Sequence, residues 1–117
     1  DIKLEFIRVS SYGEGTESTG EIKMKLDLKD SIQGKDVIVV EDIIDTGYTL
    51  RALREDLLSR KPNSLKIVVL ADKKERRKVE IPVDYVGFEI PNKFVVGYGF
   101  DVEERGRNLP YIGYIEN

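Results

Sequence analysis

Apolar and polar residues alternate from Leu4 to Val9 (LEFIRV), a stretch rich in strand formers that predicts a β-strand. A second strand is predicted over Glu21–Asp27 (EIKMKLD), after a polar, glycine-rich connection from Ser10 to Gly20. Leu26, Leu28 and Ile32 read as satellite packing around a polar turn that ends at Gly34. The pattern then changes. Val37–Val40 and Ile67–Leu70 are continuous apolar runs rich in β-branched residues, the signature of parallel strands covered on both faces. Between them Leu50, Leu53, Leu57 and Leu58 fall on one face of a helix, with Arg51, Arg54, Glu55 and Asp56 largely opposite, and Lys61–Pro62 closes it. The segment 37–70 therefore predicts a βαβ unit, right-handed by rule. Short strand signals return at Tyr85–Ile90, Phe94–Tyr98 and Tyr111–Ile115. No repeat or low-complexity linker interrupts them, so a single α/β domain over 1–117 is expected.

The first apolar run is followed by Glu41, Asp42, two isoleucines, Asp45, Thr46, Gly47 and Thr49, and then by the helix. Ligands of open parallel sheets bind beyond the carboxyl ends of the strands. A loop entering a helix N-terminus offers unpaired N–H groups and a partial positive charge, which suits phosphate. Thr46 and Thr49 can add hydroxyl donors, and Gly47 lets the backbone approach an anion. The acids cannot bind phosphate directly. Paired carboxylates there suit ribose hydroxyls and a hydrated magnesium ion, and a third acid three residues on can reach a base or move a proton.

Composition narrows the chemistry. The chain has neither cysteine nor histidine, which removes disulfides, thiolates, imidazole bases and ordinary zinc sites. Acid–base and metal work falls to Asp and Glu. A net charge of −3 and pI of about 5.1 argue against a general nucleic-acid binder. No apolar stretch approaches the roughly 18 residues of a membrane span, and no signal-peptide pattern opens the chain, so a soluble cytoplasmic protein is expected.

With these motifs in place, the sequence resembles the hypoxanthine-guanine phosphoribosyltransferases, purine enzymes of the type I phosphoribosyltransferase fold. "VVEDIIDTGYTL" is similar to the family's phosphoribosyl-pyrophosphate motif, and "RVSSYG…STGEIK" to the flexible loop that closes over the site. "DYVGFEIPNKFVVGYGFD" resembles the purine-recognition segment and "RNLPYIG" the C-terminal region. The resemblance implies that Glu41 and Asp42 hold the ribose hydroxyls, directly or through magnesium. Asp45 would face purine N7, and Thr46, Gly47 and Thr49 would cradle the 5′-phosphate. Lys73 would donate to the exocyclic O6, Phe94 would stack on the purine, and Val95 would meet it through backbone groups. Asp101 would bind a second magnesium ion, Arg107 would contact pyrophosphate, and Ser11 and Tyr12 would lie in the closing loop. Read without the family, Lys73 sits in a charge run (DKKERRK) of the kind that is normally solvated surface, and Phe94 reads as core.

The implied substrates are phosphoribosyl pyrophosphate with hypoxanthine or guanine, because a lysine meets an O6 acceptor but is left unpaired against a 6-amino group. Nucleic acid and membrane are not expected partners. The resemblance further implies an N-terminal stretch ahead of the position of Asp1, carrying a strand, a helix, a pyrophosphate-binding loop with a lysine, and part of a dimer contact. The expectation is thus an N-terminally truncated core with exposed apolar surface, or surface covered by another chain or by that segment. Two other readings fit the same fold: a non-catalytic regulator that senses nucleotides, and an inactive fragment with a structural or interaction role.

Overall fold

The computed structural model describes residues 1–11 and 21–116; Tyr12 and most of the expected closing loop fall outside these. Its elements are β1 (Arg8–Ser11), β2 (Ile22–Leu26), β3 (Asp36–Ile44), α1 (Tyr48–Ser59), β4 (Ser64–Asp72), β5 (Tyr85–Glu89), β6 (Val95–Val96) and β7 (Gly113–Tyr114). A single 3-10 turn, Lys74–Arg76, follows β4.

Strands β3, β4 and β5 form a parallel sheet in that order, with β3 and β4 paired from Asp36↔Ser64 to Ile44↔Asp72. The carboxyl ends line up, Ile44 beside Asp72 and Asp72 beside Glu89, so the loops that follow leave from one edge. The predicted βαβ unit is present. Helix α1 lays Leu50, Leu53 and Leu57 on Ile44, Ile67 and Val69, and Ile32 and Ile81 close this core. Ile32 and Leu28 serve as the satellite packing expected of them, whereas Leu26 is exposed. The helix ends where Lys61 turns into the left-handed region (φ 58°) and Pro62 forbids another turn.

Four expectations need correction. β3 does not stop at Val40 but runs through Glu41 and Asp42 to Ile44, because its ladder to β4 continues that far. The apolar run is also not covered on both faces. Val37 and Val39 pack toward α1, while Ile38 and Val40 on the opposite face are 65% and 78% exposed. The strand predicted from Leu4 begins only at Arg8, where pairing with β2 starts. Leu4 and Phe6 are exposed, and Ile7 and Val9 supply the contact with the core. The two C-terminal strands shrink to two residues each, β6 pairing antiparallel with β7. Gly97 turns the chain directly after β6 (φ 100°), and its N–H donates to the Phe100 carbonyl at 3.0 Å. Among the described residues, no helix is long and apolar enough to cross a membrane.

Candidate active site

The loops at the carboxyl edge of the sheet carry most of the chemistry anticipated from sequence. Asp45 follows β3 directly, Lys73 follows β4 directly, and Phe94 ends the turn after β5. Backbone bonds bind these loops together. The Lys73 N–H donates to the Ile44 carbonyl at 3.0 Å, the Ile90 N–H to the Asp72 carbonyl at 2.9 Å, and the Lys78 N–H to the Thr46 carbonyl at 3.0 Å. The three side chains line one open cleft of about 570 Å³, completed by Arg76, Asn92, Lys93, Ile115 and Glu116.

Lys73 is not solvated surface. It is only 8% exposed, with its Nζ 5.8 Å from the centre of the Phe94 ring. Phe94 is 68% exposed, so it is no core residue and offers an open ring face. Asp45 is ion-paired, its Oδ1 accepting from Arg76 Nε at 2.6 Å. Sequence reasoning missed Arg76, hidden in the charge run, and Asn92 and Lys93, hidden in the turn before Phe94.

The helix end beside this cleft is furnished for an anion. Helix α1 starts at Gly47, which takes φ 93°, and no side chain caps the helix. Gly47 is also tightly enclosed. A Cβ there would meet Arg77 Cδ at 3.1 Å and the Val79 carbonyl oxygen at 3.2 Å, so both conformation and space require glycine. No acidic residue occupies the first turn, and Thr46 and Thr49 stand half-buried at its mouth. The free N–H groups and two hydroxyls match the donor set a phosphate takes.

Glu41 and Asp42 are consecutive strand residues. Asp42 is exposed, and its Oδ1 accepts the Ile43 N–H at 2.7 Å. Burial of Glu41, together with the neighbouring Asp42 carboxylate, pushes the Glu41 carboxyl up to about 7. The folded chain therefore holds a proton on Glu41 that the unfolded chain releases near 4.5, and stability falls as pH rises between those values. Undiscounted, the linkage is about 3 kcal/mol, and partial exposure brings it to about 1–2 kcal/mol. Glu41→Gln is expected to close that gap, gaining stability over the parent protein at pH 8 but not at pH 4. Urea denaturation at the two pH values measures this, and equal differences at both would refute it.

The remaining site candidates lie elsewhere. Val95 pairs with Tyr114 and lines a second, apolar cleft of about 440 Å³ with Leu70, Phe88 and Tyr98. Asp101 and Arg107 face each other, Arg107 Nη2 lying 3.3 Å from Asp101 Oδ1, while Asp101 Oδ2 accepts the Glu104 N–H at 2.8 Å. Ser11 ends β1 at the surface. Among the described residues, no three or more acids converge to hold a metal. The Glu41–Asp42 pair still fits magnesium. The donors are all oxygen, their mutual repulsion is what a divalent cation relieves, and this ion takes one or two carboxylates while keeping water and substrate oxygens.

Known proteins share this fold. A hypoxanthine-guanine phosphoribosyltransferase of Staphylococcus aureus (strain Mu50) is 55% identical over 115 residues, covering 98% of this chain and 64% of that protein. That of Aquifex aeolicus is 53% identical over 114 residues, again 64% of its length. The crystal structure of a hypoxanthine phosphoribosyltransferase from Staphylococcus aureus superimposes with a TM-score of 0.89 at 57% identity, covering 95% of this chain and 60% of that one. The chain thus spans less than two thirds of the relatives it matches. Its parallel sheet and helix are those of the type I phosphoribosyltransferase fold. Since residues 1–103 match the phosphoribosyl transferase domain, the cleft at the ends of β3, β4 and β5 belongs to a member of the phosphoribosyltransferase family.

Proposed function

We propose that the intact protein carrying this chain transfers the 5-phosphoribosyl group of phosphoribosyl pyrophosphate to hypoxanthine or guanine, with magnesium, giving IMP or GMP and pyrophosphate. The observation that carries this reading is the single cleft that gathers Asp45, Lys73 and Phe94 from three parallel strand ends. Phe94 supplies a ring face for the purine, and the Lys73 ammonium donates to O6. The N–H groups at the start of α1, with Thr46, Gly47 and Thr49, hold the 5′-phosphate. Glu41 and Asp42 accept from the ribose hydroxyls.

With the purine so placed, N9 attacks C1′ of the ribose while the bond from C1′ to pyrophosphate oxygen breaks. The N7 proton passes to Asp45. Glu41, Asp42 and Asp101 would hold magnesium, which would supply charge neutralisation for the phosphates. Arg107 would give up its partner Asp101 to meet pyrophosphate, and the closing segment expected after Ser11 would exclude water from the reacting sugar. A cytoplasmic salvage enzyme working as a homo-oligomer fits this reading.

The test is product formation by the intact protein. IMP and GMP should appear from hypoxanthine and guanine only when magnesium is present, and adenine should not react. Asp45→Asn should lower kcat roughly 10²-fold, the ordinary contribution of a positioned proton acceptor. A change within about twofold would remove Asp45 from proton transfer.

A further inference from the structure

Arg76 stands in the same cleft as Asp45, Lys73 and Phe94, and none of the roles above uses it. Its Nε donates to Asp45 Oδ1 at 2.6 Å. Among the described residues this is the one side-chain bond Asp45 makes, and Oδ2 has no partner. The arginine is not loosely placed. It closes the 3-10 turn Lys74–Arg76, and its own N–H donates to the Lys73 carbonyl at 3.0 Å, so one short turn carries both the buried lysine and the arginine. The next residue fixes the turn from the other side, Arg77 bonding the Asp72 carboxylate and reaching the Asp45 carbonyl at 3.3 Å. The Arg76 and Asp45 side chains are 46% and 45% exposed. Ion pairs that open to water add little stability, about 0–1 kcal/mol, so stability does not account for this one.

We propose that Arg76 is the positioning residue for Asp45, holding Oδ1 through a single Nε bond so that Oδ2 is presented to purine N7–H. The proposal rests on the reading of Asp45 as the group that faces N7. A guanidinium suits the task because it stays charged throughout and its Nε–H, fixed in the guanidinium plane, gives that one bond a set direction. Lysine would bring charge without that control.

The experiment is a double-mutant cycle in the intact protein, assayed with hypoxanthine, phosphoribosyl pyrophosphate and magnesium. Arg76→Ala should lower kcat about tenfold through misalignment, with KM for phosphoribosyl pyrophosphate within about twofold. In the Asp45→Asn background the same change should have no further effect, because the oxygen it aligned no longer accepts a proton. Arg76→Gln repeats the cycle with the side-chain stem kept, should the alanine variant be poorly soluble. An unchanged kcat in Arg76→Ala, or losses that simply multiply in the double variant, would overturn the proposal. If Asp45→Asn is itself fully active, the role of Asp45 fails and takes this proposal with it. If Asp45→Asn is slow while Arg76→Ala is not, only the role of Arg76 fails.

Discussion

Lys73→Met is expected to lower kcat/KM for hypoxanthine and guanine about 10³-fold, roughly 4 kcal/mol of transition-state stabilisation, without loss of folding stability. Lys73 is 8% exposed, and the partner found for its Nζ among the described residues is the Phe94 ring, 5.8 Å away. Its stem is buried while its Nζ opens on the cleft, where a ligand can meet it. Methionine keeps the length and volume of the stem and removes the charge, so the packing survives. The catalytic loss follows from where charge develops. In the proposed reaction negative charge spreads to O6 as N7 gives up its proton, and the ammonium would be a preorganised donor at that atom. On the proposed reading the same donor would set specificity, because the 6-amino group of adenine would leave it unpaired. The variant should therefore lose its discrimination against adenine along with its rate. Steady-state kinetics with all three bases decide the matter. A loss below about fivefold with an unchanged base preference would mean that Lys73 does not touch O6.

The chain pattern made the centre of the molecule legible and its rim much less so. Four leucines at helical spacing between two β-branched runs left one arrangement for 37–70, and β3, α1 and β4 have it. Glu41 and Asp42 read as a strand end because charged residues leave sheets. Here the β3–β4 ladder continues past them, since one side of β3 faces away from α1 and carries little cover. Leu4 and Phe6 have the alternation of a strand but no pairing partner among the described residues, and alternation alone cannot show whether a partner exists. Asp45, Lys73 and Phe94 were named through a family resemblance, and they do meet at one cleft. Arg76 and Arg77 were invisible. In sequence they are two more cations in a charge run. Only the single turn after β4 sends one toward Asp45 and the other toward a buried acid.

That buried acid sets the second large effect. Arg77→Met is expected to destabilise the protein by about 3–5 kcal/mol, the range for breaking a buried ion pair from one side. Asp72 is 3% exposed at the end of the central strand, and its carboxylate takes its charge partner from Arg77 Nη2. The arginine side chain is itself only 21% exposed. Its Nε also reaches the Asp45 carbonyl at 3.3 Å, and its Cδ lies 3.1 Å from where a Cβ on Gly47 would stand. Methionine keeps much of that packing but leaves an unpaired carboxylate in the sheet. The cycle with Asp72→Asn separates the two contributions. If the charge is what matters, Asp72→Asn should recover more than half of the loss in the Arg77→Met background while costing stability in the parent protein. Urea unfolding of the four proteins measures this, and a loss below about 1 kcal/mol for Arg77→Met would show that water reaches Asp72 and replaces the arginine. The consequence reaches the chemistry, because the loop that carries Asp45 and opens α1 is held by this guanidinium and by the Lys78–Thr46 backbone bond. A protein that keeps its sheet but loses Arg77 should bind the 5′-phosphate end of a nucleotide more weakly, although Arg77 is assigned no contact with phosphate.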